Sequence, residues 1–200
     1  MDLFEQVDAA RERWNVLRHP FYLRWEAGEL SRDDLSFYAG EYRHAVVALA
    51  DAATAAGDAG HAAEEAAHVD LWDDFARALD APLEREPLVE TAACADAWAR
   101  RDRLEALAVL YAVESAQPTI SETKLRGLVA HYGFSAGDPG ARYFSLHSER
   151  DVEHAQAARE ALEDAAPSDT AALTAAAERA LATNWRLLDG VEEVSRERFR

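Results

Sequence analysis

Apolar side chains recur along this 200-residue chain at steps of three and four, the period of one face of an α-helix, almost from end to end. Phe4, Val7, Ala10, Trp14 and Leu17 mark a first helix that stops before His19-Pro20. A short helical piece carries Phe21, Tyr22 and Trp25 and ends at Gly28. Ser31 is placed to cap a long helix whose first turn holds Asp33 and Asp34, which suit the positive end of the helix dipole. Its apolar face runs through Leu35, Tyr38, Tyr42 and Ala45 to Leu49. Gly57 and Gly60 interrupt the pattern, and a new helix is predicted from His61 to about Leu79. Pro82 to Pro87 reads as a loop. Helices follow near 88–100, 103–116, 119–131, 141–165 and 169–197, with Pro118 kinking or ending the second of these. Gly133 to Gly140 and Pro167-Ser168 are the remaining breaks. No linker is long or polar enough to divide the chain, so residues 1–200 are expected to form one all-α domain, a bundle of seven or eight helices.

Composition agrees, with alanine abundant and glycine and proline scarce. The charge changes the picture more. Against 38 acidic residues stand 21 basic ones, a formal net charge of −17. Nucleic acid is an unsuitable partner for such a surface, because binding a polyphosphate rests on basic patches. Twenty of the basic residues are arginine and one, Lys124, is lysine. An acidic, arginine-rich composition is what adaptation to high salt produces, so most of these carboxylates are read as a solvated face of a halophilic protein. A lone cysteine, Cys94, excludes an internal disulfide and a thiol metal cluster. Nothing resembles a signal peptide or an apolar membrane span, and a cytoplasmic location is the expectation.

Four of the seven histidines fall into two matching clusters, His61-Ala-Ala-Glu64-Glu65-Ala-Ala-His68 and His147-Ser-Glu-Arg-Asp151-Val-Glu-His154. Each reads His, three residues, a carboxylate, two residues, His. On a helix, positions three, four and seven apart share one stripe, so each cluster aims two imidazoles and a carboxylate in one direction. Mixed imidazole and carboxylate donors suit iron or manganese, and facing helices in a bundle can hold two such ions. Glu114 lies in Leu110-Tyr-Ala-Val-Glu114, a stretch otherwise apolar enough to be core, where a carboxylate needs a cation or a hydrogen-bonded partner. His19, His44 and His131 lack such company and are read as structural.

At these residues the chain resembles the haem-oxygenase-like (TenA-like) superfamily, and within it the chlamydial-type branch of dimetal oxidases. The resemblance spans most of the chain. It rests on His19-Pro-Phe-Tyr22 with Trp25 and Gly28-Glu-Leu30, on His68-Val-Asp-Leu-Trp72, and on Tyr111-Ala-Val-Glu114-Ser-Ala-Gln-Pro118. Lys124-Leu-Arg-Gly127, Tyr132-Gly-Phe134 and His147 to His154 continue it. It implies three histidines and three carboxylates around two metal ions, both iron or iron with manganese, with dioxygen as co-substrate. Carried over, these are His68, Glu114, His147, Asp151 and His154, plus a glutamate seven residues before His68. That last position is His61 here. Either His61 itself is a ligand, or Glu64, one turn before His68, supplies the carboxylate; Glu65 lies on nearly the same stripe, and Glu64 is preferred.

The resemblance also implies synthesis of para-aminobenzoate, a folate precursor, by a self-sacrificing reaction that oxidises a tyrosine of the chain and takes nitrogen from a lysine. The matching residues are Tyr22, Tyr38 and Lys124. Arginine cannot substitute for an amine nucleophile, so the one lysine kept in an arginine-rich chain stands out. The substrate is then self-derived, or else a small external molecule oxidised at the same metals; a helical regulator or binding module is the non-enzymatic alternative. A homodimer is compatible with the sequence. The thiaminase-like branch uses a cysteine nucleophile for which Cys94 lies too early.

Overall fold

The computed structural model describes residues 1–197, without the side chain of Glu149. Among them, α-helix and short 3₁₀ turns account for all regular structure. Nine α-helices appear: α1 Leu3–Arg13, α2 Pro20–Ala27, α3 Arg32–Ala56, α4 Ala59–Ala78, α5 Val89–Trp98, α6 Arg103–Glu114, α7 Gln117–His131, α8 Arg142–Ala165 and α9 Thr170–Glu197. The chain thus has the all-α fold its periodicity predicts. These helices correspond to the nine helical stretches that the periodicity marks, more than the seven or eight counted for the bundle because the short α2 stands as a helix of its own.

Local chemistry sets the boundaries. Asp2 and Glu5 form a reciprocal capping box on α1, and Ser31 and Asp34 form another on α3. The His19 imidazole accepts the Phe21 N–H at 3.1 Å and so caps α2, while its other ring nitrogen meets Asp189 at 3.1 Å. His44 bonds the Arg85 carbonyl, and the His131 ring packs where a side chain on Gly28 would stand. All three histidines set aside in the sequence fill structural places. Gly60 does not interrupt α4: Asp58 accepts the N–H groups of Gly60 and His61, and the helix has already begun at Ala59. Pro118 falls in the first turn of α7, where its missing N–H costs nothing. The break itself is at Ser115-Ala116, immediately after Glu114.

The 25-residue α3 runs through the centre, with α4, α5 and α6 packed around it and α9 closing over α5 and α6. Trp25, Trp72 and Trp98 are fully buried, and each indole N–H reaches a backbone carbonyl, those of Lys124, Ala39 and Ala180. A Cβ on Gly127 would stand 2.7 Å from the Trp25 ring. This glycine lets α7 lie close on α2, which carries Lys124 against Tyr22.

Candidate metal centre

Three helices converge on a buried polar cluster inside this apolar frame. His61, Glu65 and His68 come from α4, Glu114 from the last position of α6, and His147, Asp151 and His154 from α8. The rings pair crosswise, His61 with His154 at 4.2 Å between centroids and His68 with His147 at 4.4 Å. The two His-x3-acid-x2-His motifs therefore face each other with α4 and α8 antiparallel.

Ligand atoms of His61, Glu65, Glu114 and His154 all lie within 4.8 Å of one another. A shell of donors around one ion with bonds of about 2.1 Å is about 4 Å across, so this group needs only a small contraction to close on a metal. His61 Nε2 stands 2.9 Å from Glu114 Oε1, and His68 Nδ1 2.8 Å from Glu65 Oε1. Neither pair is aligned as a hydrogen bond: all four atoms are buried without a hydrogen-bond partner, as are Glu114 Oε2, His147 Nε2 and His154 Nδ1. Seven lone-pair-bearing atoms in one dry volume are costly when unpaired and are what a cation would satisfy. Glu114 also sits at the negative end of α6, where the dipole disfavours a carboxylate. Burial, then the neighbouring Glu65 and Asp151, push its carboxyl well above the ordinary range. Burial pushes Glu65 up as well, but the facing His68, His147 and His61 outweigh this and hold it below its ordinary value. The donor set fits iron or manganese.

The sequence reading preferred Glu64 to Glu65; the structure places them the other way. Glu65 is 2 % exposed and central, four residues after His61 and three before His68. Glu64 lies at the rim, its side chain 41 % exposed, against Arg150 and 3.1 Å from His154 Nε2. The motif itself carried the signal, because Glu65 occupies in the first cluster the position Asp151 occupies in the second. Asp151 binds His147 Nδ1 through both oxygens at 2.8 and 2.9 Å, which leaves Nε2 as the free donor atom. Glu64 holds His154 in the same manner, leaving Nδ1 free. A carboxylate behind a histidine fixes its tautomer and orientation for a metal.

Tyr22, Tyr38 and Lys124 meet in a second buried group. Lys124 Nζ donates to Tyr38 Oη at 2.7 Å, and Tyr38 Oη is 2.8 Å from Tyr22 Oη. The amine stands 4.6 Å from the centroid of the Tyr22 ring and 4.8 Å from that of Tyr42. Burial alone holds the Lys124 amine well below its ordinary value, and burial first of all raises both phenols. Aromatic rings separate the trio from the candidate ligands. Tyr38 packs on Trp72 at 5.9 Å, Trp72 on Tyr143 at 4.8 Å, and Tyr143 on His147 at 4.1 Å. Tyr143 escaped the sequence reading, although it lies one helical turn before His147 and on its face.

The family model described as iron-containing redox enzyme, of haem-oxygenase type, matches residues 45–185. The chain belongs to this family. It is an oxidoreductase, and its relatives extend the match to nearly the whole length. A 4-aminobenzoate synthase of Nitrosomonas europaea is 33% identical, covering 94% of this chain and 90% of that protein. One from Chlamydia muridarum is 29% identical, covering 96% and 91%. Among solved structures, a domain with a haem-oxygenase-like fold from Shewanella denitrificans superposes with a TM-score of 0.77 at 20% identity, over 96% of this chain and 93% of that one. A TenA homologue from Pseudomonas syringae also gives 0.77, at 18% identity over 96% and 91%. These two neighbours establish the haem-oxygenase-like fold. No helix among the described residues is long and apolar enough to cross a membrane.

Cys94 is fully buried on α5, and burial raises its thiol far above the range in which a thiolate forms. Thiol-dependent aminopyrimidine hydrolysis is therefore expected to be absent, as substrate-depletion assays with the purified protein will check. Hydrolysis lost in Cys94→Ser would overturn the assignment of Cys94 to the core.

Proposed function

We propose that this chain is a metal- and oxygen-dependent 4-aminobenzoate synthase that builds its product from its own Tyr22 and Lys124. The observation that carries this reading is a dry amine. The only lysine of the sequence is buried over a phenol ring, with no carboxylate beside it among the described residues, and only a layer of aromatic rings separates it from seven unpaired candidate-ligand atoms. His61, Glu65, Glu114 and His154 would hold one ion and His68 and His147 the other, while Asp151, which the resemblance makes a ligand, is turned onto His147 Nδ1 and would orient that ring. Iron, alone or with manganese, would supply the reductive activation of dioxygen at this centre.

The chain's own groups divide the remaining work. Burial lowers the pKa of the Lys124 amine and so favours its neutral, nucleophilic form. Tyr38 touches both Lys124 Nζ and Tyr22 Oη, so its hydroxyl can pass a proton between them. Phe21, Trp25 and Tyr38 pack around Tyr22 and exclude water from the ring that is to be altered. Tyr143 packs on His147 and on Trp72, which in turn packs on Tyr38, and so links this group to the candidate ligands.

Because Lys124 is the sole lysine, growth on lysine labelled with ¹⁵N at the side-chain nitrogen marks a single site. Purified labelled protein is to be given ferrous iron, with and without manganese, a reductant and dioxygen, and 4-aminobenzoate followed by mass spectrometry. The product is expected to carry ¹⁵N and never to exceed one molecule per chain. Unlabelled product, or many turnovers, would instead identify an oxidase acting on an external molecule.

A further inference from the structure

The stripes of α6 and α8 that carry candidate ligands continue beyond them. Leu107 precedes Glu114 by seven residues, and Ala157, Ala158 and Ala161 follow His154 by three, four and seven, so each stays on its ligand's side of the helix. These four residues line a cavity of about 440 Å³ that His61 and the turn from α3 to α4 complete. Its buried lining is hydrocarbon: Ala56, Leu107 and Ala158 are each 4–5 % exposed, and the half-buried Ala161 and His61 adjoin them. The charged residues of the wall, Asp58 and Arg103, are exposed and engaged at helix ends. Arg103 Nε donates to the Ala56 carbonyl at 3.1 Å, and Asp58 accepts the N–H groups of Gly60 and His61. Alanine at three positions of α8 leaves open a space that larger side chains would fill.

Exposure singles out the same place. The side chains of His61 and His154 are 11 % exposed, while those of the other five members of the cluster lie at 3 % or less. Toward Tyr38 the centre is backed by the rings of Tyr143 and Trp72. We propose that this cavity is the port through which dioxygen reaches the metal centre, entering between α6 and α8 and passing the edge of His61. A neutral diatomic molecule suits a passage whose buried wall is alanine and leucine, and it is indifferent to the net charge of −17. A charged reagent would lose its hydration against that wall without gaining a partner. The inference rests on the reading of the centre as oxygen-activating and adds where the gas comes in.

Xenon, which apolar cavities bind, marks the passage. In crystals of the metal-loaded protein under xenon pressure, an atom is expected between Leu107, Ala158 and His61. Ala157→Phe, at an exposed position of the wall, should displace it. The same variant should slow oxidation of the ferrous centre by dioxygen roughly tenfold or more in stopped-flow absorbance, with bound metal unchanged. Ala158→Val, a smaller change deeper in the wall, should slow it to a lesser degree. Thr119→Phe, in the separate cavity lined by Val113 and Ile120, should leave the rate as it is. No xenon beside His61, or a rate untouched by both alanine variants in protein that keeps its metal, would overturn the port. A rate slowed by Thr119→Phe alone would move the entry to that other cavity. Ferrous oxidation reads the port whether or not 4-aminobenzoate forms. Absence of product with a rate still sensitive to Ala157→Phe would therefore count against the synthase reading alone.

Discussion

Glu65→Gln is expected to strip the protein of metal, and Glu64→Gln, one residue earlier, is not. Glu65 presents an unpaired buried oxygen between His61, His68 and His154, at 3.8, 2.8 and 3.9 Å. An amide there loses the charge that offsets one or two dications, and turns a donor toward ligands that need a lone pair. Glu64 acts one layer out, as the acceptor that orients His154. Removing such an orienting carboxylate costs about 10–100-fold in affinity, and Glu65→Gln should cost more than that. Metal analysis after equilibration at fixed free ferrous and manganous concentrations gives the comparison. Retention of both ions by Glu65→Gln, with loss in Glu64→Gln, would return the ligand role to the rim residue.

Lys124→Met should make the protein more stable and inactive at once. The native amine is buried, and burial lowers its pKa well below the 10.5 of the exposed group. Between the depressed native value and 10.5, the unfolded chain binds a proton that the folded chain does not. Stability therefore rises with pH across that window, and below it the amine's contribution is least favourable. Methionine fills a similar volume without an ionisable head, and Tyr38 keeps Tyr22 as a partner. Replacements of this kind stabilise by about 1–4 kcal/mol, and the pH slope should flatten. Denaturant titrations of the metal-free protein between pH 6 and 10 measure both effects, and mass spectrometry should find no 4-aminobenzoate. A variant less stable at pH 7, or one still forming product, would remove Lys124 from the role of dry amine. Such a residue is retained for chemistry at the expense of stability.

Much of this was legible without coordinates, because helices report themselves locally. The 3.6-residue period marked all nine helices to within a few positions, and Ser31, Gly28 and Pro20 marked ends that the structure keeps. Spacing within one helix was equally readable, since residues three, four and seven apart share a face whatever lies opposite. That is why both histidine motifs and Glu114 could be named as candidate ligands, and why Lys124 stood out in a chain that otherwise uses arginine.

What the sequence could not decide is which way each stripe points. Glu64 and Glu65 lie about 100° apart on α4, and either can adjoin the line from His61 to His68. Only the approach of α8, which seats His154 against His61 and His147 against His68, turns Glu65 inward and leaves Glu64 to Arg150 and solvent. Tyr143 and the ring layer that separates Lys124 from the candidate ligands follow from the same packing of α8 against α4, α6 and α7. Helix identity is fixed by contacts of short sequence separation. The rotation of each helix about its own axis is fixed by packing against partners up to 171 residues away, and in this protein that rotation selects the residues of the candidate metal centre.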